Sequence, residues 1–527
     1  MKKQLKILIV FFMVWAPLGA QTFEKTIRSS TSDYVPQIII NDKDEIILSI
    51  ISIDQHSLPN FTFANKRIHT KLIVLNEVGK QLHQQKISAY DFNPAMDSSL
   101  ENFNTLSGVY NNNQYLLSGT SRIDTPLVYA NVIYTLDSNF SILNYRVQDT
   151  TTNDVESYVR IKKLHDKFYA IGVRSKTSQF FIEGLISSID DSLRLHSYSL
   201  FNANDSLFLR LPIDFLIDDE RNTYFFGEGT LPNMATGSNM QLVKTDSNLN
   251  LIKQEYVNHP LLPNEVNVLF NELSINSFWI SDTTFLLAAT GISPIDSEFR
   301  GDIHLFVYDT SLQQQKYKRI VSRDSTAFNF TYKTAVYDSI SECFYMGVTR
   351  KFETWFSPIF GSKDTTDFQL TKFDKDLNVL FQRNYRRNKT MTFNTLATDS
   401  KGNVIMAGMI QDINSLDFFN TDIFVLKVDS LGNINHPTGY AEKDKINPIN
   451  YRVYPNPSSG AVNFIQYNIQ EEYKMRLYNS QGSLVGNYIF KNFDNHFDIS
   501  NLPNGVYVYN LSDSQGRKAS GKIVKQD

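Results

Sequence analysis

Short apolar runs alternate with polar turns along most of the chain, and one version of this pattern recurs seven times. Each copy is an apolar strand that ends in Asp or Asn, a polar turn, and a second strand. Such residues favour tight turns, and their intervals of about 53 to 65 positions indicate a repeat architecture. The seven turn residues are Asn76, Asp137, Asp190, Asp246, Asp309, Asp374 and Asp429.

A second hairpin precedes each copy, and its outgoing strand is apolar, as in FYAIGVR from 168 and VIMAGMI from 404. Two hairpins give four strands per repeat, here called a, b, c and d. Seven four-stranded units without an intervening helix predict an all-β fold, a closed seven-bladed β-propeller over residues 21–435. The seventh repeat lacks a strand d, and we therefore expect TFEKTIRS from 22 to complete the last blade.

Composition and charge narrow the possible partners. The 527 residues include 27 Tyr and 38 Phe, and aromatic and β-branched runs of this kind favour strands over helices. The net charge is −4, and Lys and Arg are scattered rather than gathered in a stripe. Because nucleic-acid binding depends on such a stripe, no nucleic-acid partner is predicted.

The first twenty residues have the pattern of a secretory signal peptide. Two lysines follow the first residue, an apolar core runs from Leu5 to Trp15, and Ala20 is a small residue before the expected cleavage site. An apolar core of about a dozen residues is too short to span a bilayer. Residues 1–20 are therefore predicted to engage the Sec machinery, and the alternative is a buried core strand.

The character of the chain changes after a polar linker at residues 436–450. From residue 451, alternating apolar and polar positions are separated by Gly, Pro and Asn turns, which predicts a small antiparallel β-sandwich over residues 451–527. Four short motifs mark this segment: VYPNPSSG from 453, YNSQG from 478, LPNGVY from 502 and GKIVK from 521.

In combination, these motifs resemble the type A C-terminal sorting domain of the type IX secretion system found in Bacteroidota. The resemblance implies an immunoglobulin-like sandwich that the outer-membrane translocon recognises. It also implies a sorting peptidase that often removes the domain as the protein is attached to surface lipopolysaccharide. The expected location is therefore secreted or attached to the outer cell surface, by way of the periplasm. The residues that carry the resemblance are Tyr454, Pro455, Asn456, Pro457, Gly460, Gly482, Leu502, Gly505, Tyr507, Gly521, Lys522 and Lys525.

Groups suited to catalysis or metal binding are sparse. Cys343 is the single cysteine and lies in a strand pattern typical of a buried thiol. The nine histidines are dispersed without ligand spacing, although a metal site assembled from different blades stays open. Asp374 and Asp376 resemble part of a calcium loop but lack its Gly and distal Glu, which favours turn capping. No catalytic residue, metal or cofactor is predicted.

Two classes of function fit these observations. The first is an extracellular module that binds or adheres to a glycan or protein ligand. The second is a secreted hydrolase or lyase with its active site at the mouth of the propeller channel. Charged and titratable side chains that converge on the channel would favour the enzyme, whereas an apolar channel with aromatic loops would favour binding.

The connections between strands differ in length on the two faces of the predicted propeller. The a-to-b and c-to-d turns are tight, whereas several b-to-c and d-to-a connections are long and rich in aromatic residues. Long loops often hold binding residues, and the alternative is that these aromatics pack their own loops. The predicted binding residues are Phe61, Phe63, Trp355, Phe356, Phe360, Phe418 and Phe419.

Replacement of Trp355 and Phe356 by Ala tests this face. If the long loops bind the ligand, retention on the target glycan or protein should be abolished while the melting temperature stays nearly unchanged, because loop aromatics that contact ligand contribute little to the core. Unaltered retention, or a loss of stability large enough to explain weaker retention, would contradict a recognition role.

Overall fold

The chain forms two compact units, residues 1–435 and residues 436–527. The predicted signal peptide and linker lie outside the residues that the computed structural model describes. Those residues are 22–28, 31–53, 68–92, 103–124, 128–147, 154–164, 167–176, 181–199, 201–202, 207–233, 238–258, 260, 269–270, 274–295, 298–320, 326–328, 333–352, 365–387, 389–411, 421–434, 451–466, 472–491, 494–513 and 518–526.

In its described residues the first unit is built from antiparallel strands, with a short 3-10 turn at Ala89–Asp91. In chain order the strands are β1 (Phe23–Ile27), β2 (Ser32–Ile40), β3 (Ile46–Ile53), β4 (Ile68–Leu75), β5 (Gln81–Ile87), β6 (Phe103–Asn111), β7 (Gln114–Asp124), β8 (Val128–Leu136), β9 (Ile142–Val147), β10 (Asp154–Leu164), β11 (Lys167–Lys176), β12 (Phe181–Ile189), β13 (Leu195–Ser199), β14 (Phe201–Asn202), β15 (Leu207–Ile217), β16 (Thr223–Asn233), β17 (Ser238–Thr245), β18 (Leu251–Tyr256), β19 (Leu269–Phe270), β20 (Asn276–Ser281), β21 (Thr284–Ile295), β22 (Glu298–Asp309), β23 (Gln314–Ile320), β24 (Thr326–Phe328), β25 (Ala335–Asp338), β26 (Cys343–Phe352), β27 (Asp367–Phe373), β28 (Val379–Arg386), β29 (Thr390–Thr398), β30 (Val404–Gln411) and β31 (Asp422–Val428).

These described strands form seven sheets, one for each sequence repeat. Blades 1 to 3 are β2-β3-β4-β5, β6-β7-β8-β9 and β10-β11-β12-β13, and blade 4 is β15-β16-β17-β18 with the short β14 beside β15. In blades 5 and 6 the inner strand is split in two, β19 with β20 and β24 with β25. The all-β propeller predicted from the repeats is confirmed.

Blade 7 joins the two ends of the propeller unit. Its order is β29-β30-β31-β1, and β1 pairs antiparallel with β31 so that Phe23 lies opposite Lys427. The inner strands β2, β6, β10, β15, β20, β25 and β29 each contact the next, and β29 contacts β2. The ring is therefore closed, with the N-terminal strand as the missing strand d.

The recurrent Asp or Asn shapes each c-to-d turn through its own side chain. In blade 4, Oδ1 of Asp246 accepts hydrogen bonds from the backbone N–H groups of Asn248 and Asn250, at 2.9 and 2.8 Å. The residue three places after Asp246 is Leu249, which has a φ of +64°. Asp374 accepts the same two bonds from Asp376 and Asn378, which supports turn capping at this aspartate.

The c-to-d turns also connect neighbouring blades. Lys244 on strand c and Tyr224 on strand b of blade 4 both donate to the carbonyl oxygen of Thr310 in the turn of blade 5, at 2.9 and 3.4 Å. At the closure, Lys25 donates to the carbonyl of Gly79 at 2.8 Å and Lys427 to that of Glu77 at 3.3 Å. These cations hold blade 7 against blade 1.

A β-bulge interrupts the inner strand in blades 1, 2, 3, 4 and 7. In blade 3 the bulge brings the carbonyl oxygen of Ser157 within 2.0 Å of where a Cβ on Gly172 would lie, and in blade 7 the carbonyl of Thr392 is equally close to Gly408. Only glycine avoids this overlap with backbone atoms. In blades 2 and 4 the matching residues are Gly119 and Gly227.

Apolar side chains fill the space between adjacent blades. One cluster combines Leu72 of blade 1 with Tyr115 and Tyr134 of blade 2, and another combines Phe226 of blade 4 with Phe285 of blade 5. Each of these five side chains is at most 2% exposed. Because every cluster needs two blades, no blade buries its apolar faces alone.

The second unit is a sandwich of two sheets. Its strands are β32 (Tyr451–Tyr454), β33 (Ala461–Gln466), β34 (Tyr473–Tyr478), β35 (Leu484–Phe490), β36 (Asp494–Asp498), β37 (Gly505–Asp513) and β38 (Lys518–Lys525). The sheet β32-β33-β36 and the sheet β35-β34-β37-β38 enclose a core that includes Phe464, Met475, Phe490 and Tyr509.

The bulge and its glycine can be tested in blade 3. Gly172→Ala should lower the free energy of unfolding by about 1–3 kcal/mol, because the new methyl group would overlap the Ser157 carbonyl and push the inner strand aside. Denaturant titration of the full-length protein would measure the change.

The matched control is Ala289→Gly in blade 5, where the corresponding residue is Ala and the inner strand is split. Removal of one buried methyl group there should cost about 1 kcal/mol at most from burial. Equal stability of Gly172→Ala and the unmodified protein would contradict the requirement for glycine.

Candidate functional site

One residue per blade follows the bulge or break of the inner strand, and in a propeller these strands surround the central channel. Each of these residues pairs with a residue of strand b. In blades 2, 3, 4 and 7 that partner comes directly before Gly119, Gly172, Gly227 or Gly408, and the other three blades have the equivalent pair. The seven are Gln37, Ser107, Arg160, Asp214, Asn276, Ala335 and Thr395.

Polar contacts between blades follow this ring around the channel. Backbone and side-chain groups of each inner strand from blade 1 to blade 7 reach the inner strand of the next blade. The contacts are Gln37 to Gly108, Ile161 to Ser107, Arg160 and Lys162 to Asp214, Ser277 to Asp214, Asn276 to Thr334, and Leu396 to Lys333. Blades 7 and 1 are joined by Thr421 and Asp33, whose backbone N–H contacts the Thr421 hydroxyl at 3.3 Å.

A cavity of about 290 Å³ lies within the ring and is lined by inner-strand segments of blades 1 to 6. Its described walls combine apolar side chains with five ionisable residues. The apolar wall residues are Val109, Val159, Ile161, Phe278 and Ala335, and the ionisable residues are Arg160, Lys162, Lys163, Asp214 and Lys333. At the rim, the exposed Lys163 donates to Oδ1 of Asn111, the last residue of β6, at 3.0 Å. The cavity therefore extends toward the a-to-b turns.

Asp214 is the centre of an ion-pair network between blades 3 and 4. Its Oδ2 lies 2.7 Å from Nη1 of Arg160, and its Oδ1 lies 2.5 Å from Nζ of Lys162. The backbone N–H and hydroxyl of Ser277 donate to Oδ2 as well, at 2.7 and 2.9 Å, and Phe215 N–H donates to Oδ1. All the accepting capacity of this carboxylate is used within the protein.

The electrostatics of Asp214 follow from these contacts. Burial alone would raise its pKa, but the charges of Arg160 and Lys162 and the hydrogen bonds outweigh burial and hold the pKa below its ordinary value. The carboxylate therefore stays ionised at neutral pH. Burial lowers the pKa of Lys162, and Asp214 only partly offsets that effect.

Lys333 is the second cationic element of the cavity. Its backbone is fixed between blades 6 and 7, because its carbonyl accepts a hydrogen bond from Leu396 and the residue bridges to Thr395. Burial, followed by repulsion from Arg160 and Lys162, lowers the pKa of Lys333 to about 8. Within the described part of the chain its ammonium group has no acceptor.

Other candidate groups do not assemble into a site. Among the described residues no three metal-binding side chains cluster, and no helix is both long and apolar enough for a membrane crossing. Cys343 is buried, and its Sγ lies 3.1 Å from the carbonyl oxygen of Ser341.

In the second unit, the first and last predicted motifs meet. Asn456 donates from Nδ2 to the carbonyl of Lys522 at 2.7 Å and accepts at Oδ1 from the N–H of Val524 at 2.8 Å. Ser458 N–H donates to the Val524 carbonyl at 2.8 Å, and Gln526 N–H donates to the Ser458 carbonyl at 3.0 Å. The VYPNP segment is therefore hydrogen-bonded along the terminal strand β38, and we call this pairing the terminal clamp.

The other motif residues support the same sandwich. Gly460 is buried, and a Cβ there would lie 2.8 Å from that of Ser500. Gly482 has a φ of +80° in the turn capped by Asn479. The buried Tyr507 donates its hydroxyl to the carbonyl of Pro503 at 2.6 Å. The backbones of Tyr454, Gly505, Gly521 and Lys525 pair within the sheets, Leu502 packs against the core, and Pro455 and Pro457 are exposed.

The predicted binding residues of the propeller stay a prediction, and the described residues show a different candidate site. All seven aromatic residues predicted to bind lie outside the described residues. The channel cluster of Arg160, Lys162, Asp214 and Lys333 was missed. One signal was available, because YVRIKKL from 158 places two cations two residues apart on one side of an inner strand.

Comparisons with known proteins bear on the two units differently. No curated protein matches the sequence. Three solved structures resemble the chain at low identity. They are a hydrazine synthase from Kuenenia stuttgartiensis (9% identity, TM-score 0.42, covering 77% of this chain and 98% of that one), a GH43 endo-arabinanase from Bacillus licheniformis (12%, 0.30, 62% and 94%), and the β-propeller domain of the Trilobed protease from Pyrococcus furiosus (8%, 0.29, 64% and 97%).

The C-terminal segment matches a known family profile. Residues 452–526 match the secretion system C-terminal sorting domain, over the same segment that the four motifs marked. This domain is the address for the type IX secretion system, and it places the protein outside the cell or on its outer surface. Residues 452–526 are therefore a type IX sorting domain, carried behind a seven-bladed β-propeller.

Proposed function

We propose that the propeller is an extracellular binding module that the sorting domain delivers to the cell surface. The observation that carries the proposal is the channel cavity, a concave site with apolar walls and a few convergent polar groups. Four of its described charged residues, Arg160, Lys162, Lys163 and Lys333, are cations. They outnumber the single carboxylate among the described lining residues, Asp214.

The state of that carboxylate argues for binding rather than glycoside hydrolysis. Most glycosidases use two carboxylates that flank the scissile bond, one of them protonated. Asp214 is alone among the described lining residues and is held ionised by Arg160 and Lys162. It has no accepting capacity left for a substrate or a catalytic water.

One observation favours an enzyme as the second candidate. Lys333 has a pKa of about 8 and no acceptor within the described residues, which suits a general base. A lyase that acts on an acidic polysaccharide needs such a base, together with a cation that neutralises the substrate carboxylate. Arg160 would supply that cation.

A retention and turnover assay separates these candidates. We expect the purified full-length protein to be retained on at least one immobilised extracellular polysaccharide and to leave it intact, because the cavity binds without a carboxylate pair. Retention would be measured by depletion from solution, and turnover by new reducing ends and by the ultraviolet absorbance of unsaturated products. New reducing ends alone would indicate a hydrolase, and unsaturated products that disappear in Lys333→Ala would indicate the lyase.

Deletion of residues 451–527 tests the delivery part of the proposal. The truncated protein should accumulate in the periplasm with a folded propeller, because the two units have separate cores. Protease shaving of intact cells would measure surface delivery. Surface exposure of the truncated protein would contradict the role of the tail.

The terminal clamp offers a point variant for the same experiment. Asn456→Ala removes both side-chain hydrogen bonds to β38 and should weaken the sorting domain by about 1–2 kcal/mol and reduce delivery. Asn510→Ala is the matched control, since Asn510 is also exposed but lies in β37 outside the four motifs. Equal surface delivery of both variants would show that sorting does not depend on the terminal clamp.

A further inference from the structure

The channel cavity contains hydrogen-bond donors that have no partner among the described residues. Arg160 is 8% exposed, and only its Nη1 pairs with Asp214, while its Nη2 is buried without a partner among the described residues. The ammonium of Lys333 is likewise without an acceptor in the described part of the chain. A buried donor such as Nη2 of Arg160 costs free energy unless something accepts its hydrogen bonds.

The two groups belong to one site. Both residues line the same cavity, and the charge of Arg160 contributes to the lowered pKa of Lys333, so the two cations are close enough to repel each other. Lys162 adds to this repulsion, whereas Asp214 is already neutralised by its own pairs. An anion between Arg160 and Lys333 would relieve the repulsion and satisfy both donors.

We propose that the channel cavity binds the carboxylate of a small acidic sugar, held between Nη2 of Arg160 and the ammonium of Lys333. This inference rests on the proposed binding function and names its ligand class. Lys162 and Asp214 are positioning residues in this site, because their ion pairs orient the Arg160 guanidinium without contact to the ligand.

The shape and chemistry of the cavity favour a sugar acid over an inorganic anion. Two donor groups without partners among the described residues, Nη2 of Arg160 and the Lys333 ammonium, can each face one oxygen of a carboxylate. The volume of about 290 Å³ exceeds the size of a bare anion and is near the lower limit for ligand pockets. Phe278, Val159 and Ile161 provide apolar walls against which the C–H face of a sugar ring can pack.

The protonation of Lys333 makes binding pH-dependent. The charged groups that face it are Arg160 and Lys162, and the neighbouring carboxylate is Asp214. The free protein loses the Lys333 proton as the pH rises through about 8, and only the protonated form attracts the carboxylate. Affinity should therefore be present below this pH and fall above it. A bound anion raises the pKa of Lys333, so binding at about pH 8 should take up a proton.

Titration calorimetry on the full-length protein tests the site with glucuronate as the probe and glucose as the neutral comparison. We expect glucuronate to bind at about pH 7 and glucose not to bind. Lys333→Met should weaken glucuronate binding at least tenfold, about 1.4 kcal/mol, without loss of thermal stability, because the variant removes a charge that Arg160 and Lys162 repel. Lys80→Met, which removes the same charge from an exposed turn of blade 1 outside the cavity lining, should change the affinity by about twofold or less.

Each of the other outcomes overturns the inference. Equal binding of glucose and glucuronate, or full affinity in Lys333→Met, would exclude carboxylate recognition by this residue. Sulfate that competes as tightly as glucuronate would show a site selective for charge alone. The absence of proton uptake at about pH 8 would remove Lys333 from the contact. Retention on a neutral polysaccharide with no glucuronate binding would refute the inference and leave the proposed binding function intact.

Discussion

In blades 3, 4 and 7 the propeller depends on the close approach of two backbones, that of the inner strand and that of strand b. Where the inner strand bulges, its carbonyl oxygen comes so near to strand b that a Cβ would lie about 2.0 Å away at Gly172 or Gly408. The bulge is useful because it turns the following side chain toward the neighbouring blade and the channel. In these three blades the glycine therefore permits the bulge that brings Arg160, Asp214 or Thr395 to the ring around the channel.

The same constraint organises the polar ring. The residues after the bulges, such as Ser107, Arg160 and Asp214, bridge neighbouring inner strands, while the apolar clusters join the blades farther out. Buried polar groups are stable only when they are paired, and here almost every partner belongs to the next blade. Loss of one of these contacts would leave a buried polar group without a partner in an apolar environment. The ring of polar contacts therefore stabilises the association of all the blades.

Much of the architecture could be predicted from the sequence, because it depends on local signals. The turn residues from Asn76 to Asp429 cap turns with their own side chains, and the period between them gave the number of blades. The sorting domain was recognisable for a similar reason, since Asn456 and Gly482 belong to short motifs with fixed spacing. The channel cluster was not predictable in this way. Asp214 and Lys333 are more than a hundred residues apart, and only the ring brings them to one cavity.

Asp214 and Lys333 differ in how their charges are compensated, and this difference bears on function. Asp214 follows the rule that a buried charge is paired, with two cations and three hydrogen bonds around it. Lys333 departs from the rule, because it lies beside two cations and its pKa is lowered accordingly. Uncompensated charges that reduce stability are expected at sites that bind a ligand. A cation without a compensating carboxylate among the described residues, in a cavity lined by six blades, is better explained by a bound anion than by packing.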